Sequence, residues 1–98
     1  MEVFGHMKYK PYYTGKIKRQ LKMLDRRGYD MGLFKEVVSM LLDGKTLPPK
    51  YNDHPLRGDR RGYRDCHIKG DWILIYKIDG DALTLILFET GTHSDLFK

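Results

Sequence analysis

The segment RDCHIKGDW, Arg64 to Trp72, crowds Arg64, Asp65, His67, Lys69 and Asp71 into one short stretch. It sits between GY and ILIYKI, in what reads as a β-hairpin whose inward positions would ordinarily be apolar. His54 precedes it and His93 follows it. An imidazole titrates near pH 6.5, so two of them can serve as base and acid at neutral pH. Cleavage of RNA by its own 2′-hydroxyl needs those two roles and a cation for the phosphorane. Arg57, Arg60, Arg61 and Arg64 lie near in sequence to supply that cation. A single histidine of this kind is most often an ordinary half-exposed residue. Convergence of His54, His67 and His93 with Asp65 and Asp71 is what would make a site.

Three histidines and an aspartate also form metal sites. Here the spacings of 13 and 26 residues match no compact metal motif, so no metal or cofactor is expected. Cys66 is the only cysteine, which excludes an internal disulfide and a CxxC site. It is a weak candidate nucleophile because it shares a strand face with Ile68, toward the expected core. No Gly-rich phosphate loop is present. Trp72 and Phe97 are candidates for stacking on bases, against the plainer reading that they cap the hairpin core and anchor the tail.

The elements that must hold these residues follow from periodicity. HMKYKPYY reads as a short strand that Pro11 ends or confines to an edge. Ile17, Leu21 and Leu24 form one stripe of a helix from Thr14 to Arg27, stopped by Gly28. Asp30 reads as the N-cap of a second helix through Asp43, with Phe34, Val37, Val38, Leu41 and Leu42 on its apolar face. Residues 45–62 show no period, with Tyr51, His54 and Leu56 as anchors to the body. Three strands follow, Tyr63–Ile68, Trp72–Ile78 and Ala82–Glu89, joined by tight turns at Lys69-Gly70 and Asp79-Gly80. GTHSDLFK ends the chain in one helical turn. The expected fold is α+β, in the order β-α-α-β-β-β, a mainly antiparallel twisted sheet with a helical pair on one face. Alternation places Tyr63, Asp65 and His67 on the open face, with Trp72 as a further candidate there. Cys66, Ile68, Ile73 and Ile75 would then face the helices.

At 98 residues the chain is expected to form one domain, residues 1–98. No apolar run approaches the roughly 20 residues that span a bilayer, so no membrane partner is expected. MEVFGH lacks the apolar core of a signal peptide. A reducing, cytoplasmic setting fits the single cysteine. The net charge of +5 is concentrated at the N-terminus: residues 1–28 hold eight Lys/Arg against Glu2 and Asp25, and the remainder is nearly balanced. That implies an anionic partner, nucleic acid or acidic protein, or else a solvated helix face.

DHPLRGDRRGYRDCHIKGDWILIY (53–76) followed by FETGTHSDLF (88–97) resembles the YafQ branch of the RelE-type toxins, in the RelE/ParE superfamily. The likeness covers most of the chain, and its most specific pieces are HPL, GYRD-x-H, DWILIY and GTHS-x-LF. It implies a ribosome-dependent mRNA endoribonuclease of a type II toxin–antitoxin system, which cuts in the ribosomal A site without a metal. It implies the ribosome with its small-subunit RNA, mRNA and a cognate antitoxin as partners. Carried over by motif, it marks His54, His67, Asp71 and His93 as catalytic and Asp65, Trp72, Phe97, Arg61 and Arg64 as substrate-binding. His93 and His67 are the expected proton-transfer pair, with Asp71 orienting and His54 supporting. Arg60 departs from an aromatic position of the family. The alternative is a non-enzymatic module that binds RNA or antitoxin.

Overall fold

Residues 7–97 are described in the computed structural model. The N-terminal MEVFGH, which carried no assigned role, lies outside them. Helix α1 spans Gly15–Arg26 and α2 spans Met31–Leu42. α2 begins after its expected cap, Asp30, and α1 after Thr14, which proves to be a cap rather than the first helical residue. The Thr14 hydroxyl accepts the Ile17 N–H at 3.1 Å, and the Asp30 carboxylate accepts the Gly32 N–H at 2.9 Å. Gly28, at φ +87°, turns the chain out of α1 through a conformation that a side chain would strain.

The sheet has five strands: β1 Lys10–Tyr13, β2 His54–Pro55, β3 Arg64–Lys69, β4 Trp72–Asp79 and β5 Thr84–Thr92. Their spatial order is β1-β5-β4-β3-β2, with β1 parallel to β5 and the other pairs antiparallel. Pro11 sits in edge strand β1, where a missing N–H costs least. The two-residue β2 lies inside the segment without periodicity, being too short to show alternation. Around it, residues 45–62 hold two 3₁₀ turns, Pro49–Tyr51 and Gly58–Arg60, pinned by buried Leu47 and Tyr51. Strand β5 runs on to Thr92, past the expected end at Glu89, and hands over directly to α3, His93–Leu96.

The face assignment along β4 is the reverse of the sequence expectation. Leu74 and Tyr76 pack with Cys66, Ile68, Leu85 and Leu87 against the apolar stripes of α1 and α2. Ile73 and Ile75 point the other way and form a second cluster with Leu96, edged by Leu56, Tyr63 and Phe88. Cys66 pairs with Leu74 and His67 with Ile73, and cross-strand partners share a face. A bulge at Ile68 shifts the register between β3 and β4, and Ile68 packs with Cys66 on the helix side. A second bulge, at Phe88, turns both Phe88 and Glu89 to the open face.

Beyond Leu87, β5 has no strand on its outer edge, and α1 takes that place. The Thr14 hydroxyl donates to the Phe88 carbonyl at 2.8 Å, and the Gln20 side-chain oxygen accepts the Thr90 N–H at 2.9 Å. Helix side chains thus satisfy backbone groups that an open edge would leave bare.

Candidate active site

The open face collects three histidines from three separate elements, β2, β3 and α3. Across the sheet, His54 on β2 pairs with Asp65 on β3, Asp65 with Ile75 on β4, and Ile75 with Glu89 on β5. His67 lies two residues along β3 from Asp65, and α3 adds His93. The ring centroids of His54 and His67 are 6.5 Å apart, and those of His67 and His93 are 5.6 Å apart. Phe97 follows at 5.9 Å from His93. All four expected catalytic residues meet in this cluster, with Asp71 on His93, but only two of the five expected substrate contacts, Asp65 and Phe97, lie with them.

Two of the imidazoles have their tautomers set by what they touch. His54 Nδ1 donates to the Asn52 carbonyl at 2.7 Å. A carbonyl can only accept, so Nδ1 holds the proton and neutral His54 presents a bare Nε2. Asn52 supplies that carbonyl from a left-handed conformation, φ +47°, which asparagine tolerates better than most residues. His93 Nδ1 donates in the same way to the Asp71 carboxylate, which also accepts the His93 backbone N–H at 3.4 Å. The hydrogen bond from His93 holds the exposed Asp71 carboxyl below the usual range. α3 itself is fixed by a reciprocal cap between Thr92 and Asp95, and Arg27 binds Asp95 at 3.1 Å. A Cβ at Gly91 would come within 3.0 Å of that carboxylate, so α3 folds back tightly only on glycine.

Asp65 is buried beneath the histidines, at 3% exposure. Its Oδ1 has no hydrogen-bond partner among the described residues, and His67 Nε2 stands 3.9 Å from it. Burial pushes its carboxyl above the ordinary range, opposed by facing His54, His67 and His93.

Trp72 is not on this face. It is buried among the helices, stacked at 6.4 Å on Phe34 and edge-on at 5.1 Å to Tyr29, and its Nε1–H donates to Thr90 Oγ1 at 2.9 Å. It pairs with Lys69 across the β3 bulge, so it shares neither His67's side nor a route to a base. Arg64 also points to the helix side, where its Nε donates to Asp53 at 3.2 Å and the Tyr76 hydroxyl donates to the same oxygen at 2.8 Å. That network ties down the residue before His54, and leaves Arg64 no path to the histidines. Arg61 is exposed, and its side chain makes no ion pair or hydrogen bond among the described residues. Cys66 is fully buried on the helix side, and burial pushes its thiol far up, which disposes of it as a nucleophile.

The sequence reading missed Glu89 and underrated Arg60. Arg60 donates to the buried Glu89 carboxylate at 2.9 Å, and its guanidinium lies 5.0 Å from the centre of the Phe97 ring. An acid within LILFETGT was the available signal, since a strand so apolar rarely carries a charge without a partner. Among the described residues, no group of three or more His, Cys, Asp or Glu is spaced to hold a metal ion.

A helical pair on one face of a mixed five-stranded sheet, with a polar cluster on the other, is the RelE-like toxin architecture. Comparison with known proteins narrows this. The family model for YafQ, a bacterial toxin of type II toxin–antitoxin systems, matches residues 9–98. The mRNA interferase toxin YafQ of Escherichia coli K12 is 42% identical over 87 residues, covering 87% of this chain and 91% of the relative. The crystal structure of the E. coli DinJ–YafQ toxin–antitoxin complex matches with a TM-score of 0.85 at 38% identity, over 94% of this chain and all of that one. A metal-bound toxin from Helicobacter pylori matches at 0.86 and 39%, over 91% of this chain and 99% of that one. The chain belongs to the YafQ family of toxins.

Proposed function

We propose that this chain is an mRNA interferase, a ribosome-dependent endoribonuclease toxin that cuts mRNA in the A site by metal-independent acid–base catalysis. The E. coli relatives bear the name mRNA interferase, and one is seen in complex with its antitoxin DinJ. The observation that carries the chemistry is the convergence of His54, His67 and His93, from three separate elements, on one open face.

In the reaction, a base takes the proton of the 2′-hydroxyl, whose oxygen then attacks the adjacent phosphorus. The bond from phosphorus to the 5′-oxygen breaks, and an acid protonates the departing oxygen. The products are a 2′,3′-cyclic phosphate and a 5′-hydroxyl. His93 and His67 are the proton-transfer pair, neighbours at 5.6 Å. Asp71 holds His93 by Nδ1 and so aims Nε2 at the substrate. His54, with a bare Nε2 of its own, supports from the far side of His67. Half-exposed Phe97 offers its ring to a base beside the scissile position. Imidazoles supply both proton-transfer roles near neutral pH, so the step itself calls for no metal.

The exposed lysines and arginines of α1 form a cationic strip for ribosomal RNA or for an acidic segment of a cognate antitoxin. A ribosomal target places the chain, as one domain, in the cytoplasm. No helix of the described residues is long and apolar enough to cross a membrane.

The test is induced expression in bacteria, wild type beside His93→Ala, with transcript ends mapped in both. Growth arrest with new in-frame ends only in the wild type supports the proposal. Arrest in both strains, without new ends, would make the chain a binding toxin and sink the nuclease reading.

A further inference from the structure

We propose that Arg60 is the cation that contacts the RNA phosphate beside the histidine cluster, and that buried Glu89 is its positioning residue. The inference rests on the cleavage reading above and adds to it the cation that the chemistry needs.

Of the four arginines near the site in sequence, the fold singles out one. Arg64 is spent on Asp53 at the helix side, and Arg57 and Arg61 stand exposed in solvent. Arg60 ends the 3₁₀ turn Gly58–Arg60 and crosses the open face to Glu89. Glu89 arrives on that face only because β5 is bulged at Phe88. Its side chain is 6% exposed, whereas that of Arg60 is 31% exposed. The carboxylate is therefore a fixed post and the guanidinium its solvent-facing end.

One N–H of Arg60, at Nη1, is committed to Glu89 Oε2. The guanidinium has five donors in a rigid fork, so the others stay available. The fork also lies against Phe97, whose ring neighbours His93. A nucleotide whose base meets Phe97 would bring its phosphate to that fork. Neutralising Glu89 does not by itself require Arg60, since Lys16 Nζ already stands 3.6 Å from Oε1. Charge burial alone thus leaves the placement of Arg60 against Phe97 unexplained, and phosphate recognition accounts for it.

The experiment is single-turnover cleavage on ribosomes programmed with a defined mRNA, using wild type, Arg60→Ala, Arg60→Lys, Glu89→Gln and the Arg60→Ala/Glu89→Gln pair. Binding of the same ribosomes carrying a 2′-deoxy substitution at the cleavage position is measured against salt. Arg60→Ala is expected to lose roughly 10- to 100-fold in kcat/KM, as for loss of one charge-assisted hydrogen bond. Arg60→Lys, which keeps the charge and loses the fork, should fall between. Glu89→Gln should lose less than Arg60→Ala, because the cation remains but is no longer held. The double variant carries no orphaned buried charge, so it should fold, yet it should stay as slow as Arg60→Ala. The salt slope of binding should flatten by about one without Arg60. Recovery of the double variant to the wild-type rate would reduce Arg60 to a counter-ion and overturn the inference, as would an Arg60→Ala that cleaves normally. Wild-type protein that leaves the mRNA whole would instead remove the cleavage reading, and this inference with it.

Discussion

Trp72 is the chain's only tryptophan, and the structure makes it a core residue rather than a platform for bases. That assignment can be tested through its single polar contact. Thr90 Oγ1 accepts the Trp72 Nε1–H at 2.9 Å and donates to the Ile73 carbonyl at 2.7 Å. Thr90 is 1% exposed, so no water can replace either bond without rearrangement. Thr90→Val keeps the shape and removes both. The orphaned indole donor costs about 1–3 kcal/mol, and the lost bond to Ile73 about 1 kcal/mol more. The variant should therefore lose about 2–4 kcal/mol, a large share of the 5–15 kcal/mol typical of a small domain. Trp72→Phe removes the donor instead of the acceptor and costs packing volume, about 1–3 kcal/mol. In the Thr90→Val background it should cost less, because the orphaned group is gone. Urea unfolding followed by circular dichroism measures all four proteins, and Trp72 fluorescence serves as a second probe for those that retain it. With cleavage assayed well below the unfolding midpoint, Trp72→Phe should keep kcat within a few-fold of wild type. A Trp72→Phe protein as stable as wild type but unable to cleave would refute the reasoning and return Trp72 to the substrate.

Two further predictions concern the acids of the site. Asp65 has its folded-state pKa raised by burial, so the native state holds its proton after the unfolded chain has released it. Stability should therefore fall as pH rises from about 3.9 through the higher folded-state value, and Asp65→Asn should abolish that part of the decline. Urea midpoints taken between about pH 4 and pH 7 decide this; parallel curves for the two proteins would be the contrary result. Asp71 is exposed and acts by holding His93, so Asp71→Asn should slow cleavage roughly 10- to 100-fold while leaving the melting temperature unchanged. Cleavage at the wild-type rate would show that His93 needs no orienting partner.

Where the sequence was legible, one signal spoke for one face. The stripes Ile17-Leu21-Leu24 and Phe34-Val37-Val38-Leu41-Leu42 bury on a single side, and Thr14 and Asp30 cap the helices they precede. The histidine cluster was visible because HPL, RD-x-H and the tail motif carry it in three pieces. Strand β4 was not legible in the same way. WILIY is apolar at every position because both faces are covered, by the helices on one side and by Leu96 and Phe88 on the other, so alternation vanishes. The bulge at Ile68 then broke the period-two count on which the placement of Trp72 depended, and the bulge at Phe88, which no alternation signals, turned Glu89 to the open face. Arg60 and Arg64 stand four residues apart in one basic run, and only the fold sends one to Phe97 and the other to Asp53.

The central claim is that two imidazoles on the open face exchange protons with the RNA. The most direct measurement is the pH dependence of single-turnover cleavage on programmed ribosomes for wild type, His93→Ala and His67→Ala. The account predicts a bell-shaped wild-type profile, with its limbs belonging to the coupled pair, and the loss of a limb together with most of the rate in each variant. A wild-type rate that is flat from about pH 5 to pH 8, with the chemical step shown to be limiting, would contradict it.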